Sequence, residues 1–113
     1  MLARQFRLRK ATDIARVYKK GSYGGAGGVL SVKALASGRS HPRAVVVVGK
    51  KVSKKAVVRN RIRRRLSGDL EKRWATVRAG YDIVISVHSD VSDLSSEALG
   101  RHFTQALTRA GVI

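Results

Sequence analysis

The stretch that decides the fold reads GKKVSKKAVVRNRIRRRLSGDLEKRW, residues 49–74. An apolar residue recurs in it every three or four positions, which predicts one amphipathic helix that packs on a sheet. Ser53 is expected to cap this helix, with Val52 and Val57 as the hydrophobic staple. The apolar stripe consists of Val58, Ile62, Leu66, Leu70, Trp74 and Val77.

The opposite face of this helix is cationic. Nine of the sixteen residues from 50 to 65 are Lys or Arg, and a rotation of about 100° per residue gathers Arg61, Arg64 and Arg65 away from the apolar stripe. A helix face that is merely solvated normally carries acidic residues among the basic ones, which this face lacks. A membrane-surface helix is also disfavoured, because it would use the apolar stripe that the core of so short a chain needs. Because a guanidinium holds two phosphate oxygens or stacks on a base, the pattern favours nucleic acid.

The charge of the whole chain agrees with this interpretation. The 113 residues carry 24 Lys or Arg and 7 Asp or Glu, a net charge of +17. Residues 1–68 hold 19 of the basic residues and one acid, Asp13, which gives a net charge of +18. Residues 69–113 hold 5 basic and 6 acidic residues, which gives a net charge of −1. Without internal partners these charges repel each other, so we expect a polyanionic ligand.

The remaining patterns place this helix in one mixed α/β domain over residues 1–113. Residues 13–20 after a Thr12 cap, and the segment from a Ser95 cap to Gly111, are predicted helices. Residues 29–35, 43–48 and 82–87 are at least three predicted strands. The glycine-rich residues 21–28 are predicted to be a loop. The element order is helix-strand-strand-helix-strand-helix.

Catalytic and metal sites have little support in the sequence. The chain has no Cys, and His41, His88 and His102 have no acid at a metal-ligand spacing. No paired carboxylates or Ser/His/Asp arrangement emerges, so we expect no catalytic residue and no metal site in the protein itself. The longest aliphatic run covers residues 44–48, far short of the roughly 20 residues that span a bilayer. We therefore expect no membrane contact. Residues 1–8 lack the apolar stretch of a secretory signal, so we expect a cytoplasmic protein, and we expect no small-molecule substrate.

Arg59-Asn60-Arg61-Ile62-Arg63-Arg64, preceded by Lys50-Lys51 and Ala56, resembles the signature of the bacterial ribonuclease P protein subunit. Other matches fall in that family's order and spacing over nearly the whole chain. They are Arg7-Leu8 followed by Asp13 and Tyr18, His41-Pro42-Arg43, Tyr81-Asp82-Ile83-Val84-Ile85, and the terminal amphipathic helix.

The resemblance implies a fold and an activity. The fold is an α/β (α+β) two-layer sandwich with a mixed sheet of about four strands, in which the basic helix joins two parallel strands through a left-handed crossover. The activity is that of an accessory subunit in a ribonucleoprotein that removes the 5′ leader of precursor tRNA. Metal ions held by the catalytic RNA, Mg²⁺ in particular, carry that chemistry.

The resemblance also implies two sets of site residues. A leader cleft between the first helix and the sheet maps onto Ile14, Tyr18 and Ser31, of which only Tyr18 keeps the aromatic ring common in the family. Tyr18 is open to a second interpretation as a core residue, and Tyr23 lies in the glycine-rich segment as a further ring. The residues expected to bind the catalytic RNA are Lys50, Lys51, Lys54, Lys55, Arg59, Asn60, Arg61, Arg63, Arg64 and Arg65.

Two alternatives remain at this point. A ribosomal or general RNA-binding protein would explain the charge equally well without any role in tRNA cleavage, and a DNA-compacting protein is a weaker third hypothesis. Asn60 is likewise open: it is either a tolerated exposed polar residue, or a neutral donor and acceptor within the cationic patch for a ribose hydroxyl, a base edge or a metal-bound water.

Overall fold

The computed structural model describes residues 2–113, which form three α-helices and a four-stranded sheet. Two short 3-10 turns, Arg4–Phe6 and Trp74–Thr76, flank the first and second helices. The elements are α1 (Ala11–Lys20), β1 (Ser22–Ala26), β2 (Leu30–Ala36), β3 (Arg43–Val48), α2 (Ala56–Lys72), β4 (Tyr81–Val87) and α3 (Ser96–Arg109).

The strands form one mixed sheet in the order β1-β2-β4-β3. β2 pairs antiparallel with β1 and β4, whereas β3 pairs parallel with β4, Val45 lying opposite Val84. Since α2 connects the two parallel strands, the predicted mixed α+β class and the strand-helix-strand crossover are confirmed. The left-handed sense of that crossover stays a prediction.

The helices divide between the two faces of the sheet. α2 and α3 cover one face and enclose the main core, in which Leu66, Phe103 and Ile85 have no exposed surface. α1 crosses the other face, where its Val17 packs with Leu8 and Val84 in a smaller core. Burial of these apolar side chains is the main stabilising contribution, at about 1.5–3 kcal/mol for each large residue.

Strand β1 corrects the sequence prediction, which placed residues 22–26 in a loop. This segment pairs with β2, and a Cβ on its Gly24 would lie only 2.3 Å from the backbone oxygen of Ala106 in α3. Glycine therefore lets α3 approach the strand closely, so the residue type that suggests a loop here serves packing. The turn itself is confined to residues 27–29, where Gly27 and Gly28 have φ of +57° and +75°.

Two of the three predicted helix caps are wrong. α2 begins at Ala56 with no side-chain cap, and the Ser53 hydroxyl instead accepts from the Lys55 amide at 3.2 Å in the preceding turn. α1 begins at Ala11, one residue before the predicted Thr12 cap. The Ser95 cap is confirmed, since its hydroxyl accepts from the Ala98 amide at 3.0 Å. No helix within residues 2–113 is long and apolar enough to cross a membrane.

Candidate nucleic-acid interface

The loop between β3 and α2 presents four lysines to solvent. β3 ends at Val48, and residues 49–55 turn back before α2 begins. Val52 is half-buried against the core, which anchors the loop while its lysines point outward. The exposed residues are Lys50, Lys51, Lys54 and Lys55.

The first half of α2 continues this cationic surface. Ile62 is buried on the sheet, so Arg61 and Arg64 lie exposed on the outer side, and their guanidinium groups form no ion pair or hydrogen bond with any residue of 2–113. Arg63 is half-buried and donates to the side-chain oxygen of exposed Asn60. We call the surface formed by residues 50–64 the basic face.

Two arginines of the predicted set are engaged by the protein. Arg59 donates to the Ser53 carbonyl at 2.9 Å and so braces the loop against the helix. Arg65 is half-buried, and its guanidinium donates to the Val91 carbonyl at 2.9 Å and to the Leu94 carbonyl. Arg65 therefore fastens α2 to the segment before α3, and the structure does not bring its guanidinium into the exposed face with Arg61 and Arg64.

The acids of the chain neutralise other parts of the molecule. No Lys or Arg from position 50 to 65 forms an ion pair with a carboxylate of residues 2–113. The basic face is consequently an uncompensated positive surface, suited to the phosphates of a polyanion. Ion pairs among residues 2–113 include Asp13–Arg16, Asp13–Arg43, Asp82–Arg43, Asp69–Arg73 and Glu97–Arg101.

A second candidate surface lies on the α1 side of the sheet, and the structure brings Ile14, Tyr18 and Ser31 to it. Tyr18 is 39% exposed, and its hydroxyl lies 3.0 Å from the Ser86 hydroxyl on β4. The Ser31 hydroxyl lies 2.7 Å from Nε2 of His88. Ile14 is half-buried against the smaller core. The exposure of Tyr18 argues against the core interpretation of its ring.

Sequence reasoning missed several residues of this surface. Lys33 follows Ser31 on the same face of β2, donates to the Tyr18 carbonyl at 2.6 Å, and places its ammonium 5.9 Å from the Tyr18 ring centre. Tyr23 on β1 lies opposite Lys33 on β2 and is 63% exposed. The period-two alternation of β2 could have identified Lys33, whereas the loop prediction concealed Tyr23. We call this surface, with Ser86 and His88, the sheet cleft.

A partly buried ion cluster holds α1 in place over the sheet cleft. Arg43 on β3 donates to both carboxylate oxygens of Asp82 on β4, at 2.9 and 2.7 Å, and lies 3.5 Å from the Asp13 carboxylate on α1. The hydrogen bonds that Arg43 donates to Asp82 raise the pKa of Arg43 above its usual range, despite an opposing effect of desolvation. The guanidinium therefore stays charged, and it links α1 to two strands at once.

The two surfaces differ in the chemical groups that they present. Across residues 2–113, no three His, Asp or Glu side chains come together as a group that could hold a metal ion. The chemistry that the two surfaces offer is recognition: cations for phosphates on one, and an exposed ring with hydroxyl, imidazole and ammonium groups on the other.

Comparison with known proteins gives consistent matches. The family model described as Ribonuclease P matches residues 2–111. A ribonuclease P protein component from Pseudanabaena sp. (strain PCC 6903) is 38% identical over 115 residues, which cover 100% of this chain and 97% of the relative. The structure of the Staphylococcus aureus RNase P protein has a TM-score of 0.82 at 25% identity, with 95% and 96% of the two chains covered. The Thermotoga maritima RNase P protein shares the fold, with a TM-score of 0.81 at 22% identity over 91% and 96% of the chains.

Proposed function

The chain belongs to the ribonuclease P protein family, and from this membership we propose that the basic face binds the catalytic RNA while the sheet cleft binds the 5′ leader of precursor tRNA. The protein is the accessory subunit of a ribonucleoprotein endonuclease, with ribonuclease P RNA as its partner. A role as a ribosomal or general RNA-binding protein is not favoured by this family match.

The uncompensated charge of the basic face is the observation that carries the RNA assignment. Arg61 and Arg64 are exposed and unpaired within residues 2–113, beside four exposed lysines of the preceding loop. Their guanidinium groups suit bidentate contact with phosphate oxygens. Asn60 adds a neutral amide within this surface, and its contact with Arg63 orients it toward the same side.

The same proposal gives the protein and the RNA separate roles. Residues 1–113 act as one RNA-binding domain in the cytoplasm, the RNA and its Mg²⁺ ions carry phosphodiester hydrolysis, and the protein contributes binding and orientation. Ion pairs and turns engage most of the protein's acids, as Asp69 and Asp90 illustrate, so they are poorly suited to metal catalysis.

Leader binding is supported by the composition of the sheet cleft. Tyr18 offers a ring on which an unpaired base can stack, with Lys33 close enough to neutralise a phosphate. Stacking of one base on an aromatic side chain contributes about 1–3 kcal/mol. Ile14 is half-buried one helical turn before Tyr18, and the buried Ser31 hydroxyl lies 2.7 Å from Nε2 of His88. A single-stranded leader matches this arrangement better than a rigid duplex does.

Competition binding tests the RNA assignment. Labelled bacterial ribonuclease P RNA is bound by the protein and then challenged with unlabelled ribonuclease P RNA or with a ribosomal RNA fragment of the same length. We expect the ribosomal fragment to compete at least about tenfold more weakly, because a specific RNA engages the face at matched positions. Equal competition would instead support a general RNA-binding protein.

The leader assignment has a separate test. Tyr18→Ala should weaken binding of a precursor tRNA with a long leader by about fivefold or more, the loss of one stacked base, and should leave binding of a tRNA with a one-nucleotide leader unchanged. Tyr81→Ala is the matched control, a half-buried tyrosine that packs on the main core and does not line the cleft. Equal losses of Tyr18→Ala on both substrates would remove Tyr18 from the leader site.

A further inference from the structure

A cavity of about 410 Å³ opens between the N-terminal segment, the edge of β3 and α2. This volume falls within the range of about 300–1,000 Å³ that small-ligand pockets occupy. The floor is apolar and well packed: Leu8, Ala44 and Leu70 are at most 3% exposed, and Leu2 and Val46 at most 9%. The cavity lies on a side of the molecule separate from the sheet cleft.

The rim of the cavity is cationic, and its lining within residues 2–113 includes no acid. Arg7 and Arg9 contribute from the N-terminal segment, and Arg63 and Arg64 from α2. Arg7 donates to the Leu2 carbonyl at 2.7 Å, a hydrogen bond that spans the 3-10 turn Arg4–Phe6. Such a combination of apolar floor and guanidinium rim is complementary to a flat ring that carries a phosphate.

The edge of β3 supplies polar groups inside the cavity. The Leu8 amide donates to the Ala44 carbonyl at 2.9 Å, the single bridge by which residues 2–10 pair with this edge. Backbone groups two residues apart in a strand point the same way, so the Val46 amide and carbonyl project from the same edge. No hydrogen bond from another residue of 2–113 reaches them there. A donor and an acceptor are thus available beside the apolar floor.

We propose that this cavity takes one unstacked nucleotide of the RNA partner, with its base on the apolar floor and its phosphate among the rim arginines. The Asn60 amide, the Ser67 hydroxyl and the Val46 backbone are the groups available to the base edge and the ribose. This inference rests on the proposed RNA-binding function and adds to it a specific pocket.

The nucleotide pocket is tested by filling the cavity with a larger side chain and measuring the affinity for ribonuclease P RNA. Ser67→Leu adds an apolar side chain to the lining and removes no charge, and Thr108→Leu makes the same kind of change at an exposed position of α3 outside the cavity. We expect Ser67→Leu to weaken binding of ribonuclease P RNA at least about fivefold. The slope of log K against log salt should stay unchanged, because Ser67→Leu excludes the base but leaves the rim arginines in place to contact the phosphate. Thr108→Leu should bind as the unaltered chain does.

The outcomes separate this inference from the proposed function. If the unaltered chain fails to bind ribonuclease P RNA, the proposed function fails. If it binds and Ser67→Leu binds equally tightly, the nucleotide pocket alone is refuted. Thermal unfolding of Ser67→Leu confirms that any loss of binding does not come from misfolding.

A direct measurement uses methyl NMR of the full chain with AMP and ribose 5-phosphate as probes. AMP should shift the methyl signals of Leu8, Val46 and Leu70, whereas ribose 5-phosphate, which lacks the base, should leave them in place. In the Ser67→Leu variant the AMP shifts should disappear. Equal shifts from both probes, or no methyl shift with AMP, would overturn the proposal.

Discussion

Arg61 and Arg64 are expected to carry the salt dependence of RNA binding, whereas Arg65 is expected to contribute to stability. The two exposed guanidinium groups have no partner within residues 2–113, so their replacement by Ala leaves no protein group unsatisfied. Each phosphate contact contributes about one unit to the slope of log K against log salt. The double variant Arg61→Ala/Arg64→Ala should therefore flatten the slope by about two units without lowering the free energy of unfolding.

Arg65→Ala is the matched comparison on the same helix. It removes the donors to the Val91 and Leu94 carbonyls, which join α2 to the segment before α3. Hydrogen bonds from a charged group contribute about 1.5–3 kcal/mol each, and partial exposure reduces this, so we expect a loss of about 2–3 kcal/mol. For a domain of this size that corresponds to a fall in Tm of roughly 8–12 °C.

The assays are thermal unfolding by circular dichroism and binding to ribonuclease P RNA across a salt series. Binding is measured below the Tm of the least stable variant, so that all chains are folded. A flattened slope with unchanged Tm for Arg65→Ala would refute the structural role of that residue. An unchanged slope for the double variant would show that the exposed arginines do not contact phosphates.

Two further predictions concern the fold. Gly24→Ala should cost about 1–3 kcal/mol of unfolding free energy, because its Cβ would approach the Ala106 oxygen to 2.3 Å. Gly49→Ala, where nothing lies within 4 Å, is the neutral control, and equal urea midpoints for the two would contradict the close approach of α3. Arg43→Ala should cost about 2–4 kcal/mol by leaving buried Asp82 without its partner; a urea midpoint equal to that of the unaltered chain would show that the ion cluster contributes nothing.

The basic helix could be predicted from sequence because its information is local. The apolar spacing of three and four residues identifies the buried side of α2, and Ile62, Leu66 and Leu70 are buried as predicted. The Arg61 and Arg64 positions follow from the same periodicity. For Arg65 the periodicity predicts a position away from the apolar stripe, but it does not predict the hydrogen-bond partners. These belong to a segment 26 and 29 residues further along the chain, so only the tertiary structure reveals them.

Strand β1 shows why other features escaped prediction. A segment rich in glycine carries no hydrophobic pattern, and its strand conformation comes from pairing with β2 and from the approach of α3 to Gly24. The residues of the sheet cleft could be predicted only in part. Ile14 and Tyr18 share a helix face through their spacing of four, and Ser31 was placed by family resemblance. Lys33 and Tyr23 required the register of β1 on β2.

Reconstituted cleavage tests the central claim most directly, namely that the basic face recruits this chain to a catalytic RNA for tRNA processing. Precursor tRNA is cleaved by bacterial ribonuclease P RNA at low magnesium, with the unaltered chain or with Arg61→Ala/Arg64→Ala added over a range of concentrations. We predict that the unaltered chain accelerates 5′ cleavage and that the variant needs on the order of tenfold more protein for the same rate. Cleavage no faster with the unaltered chain than with the RNA alone would contradict the account.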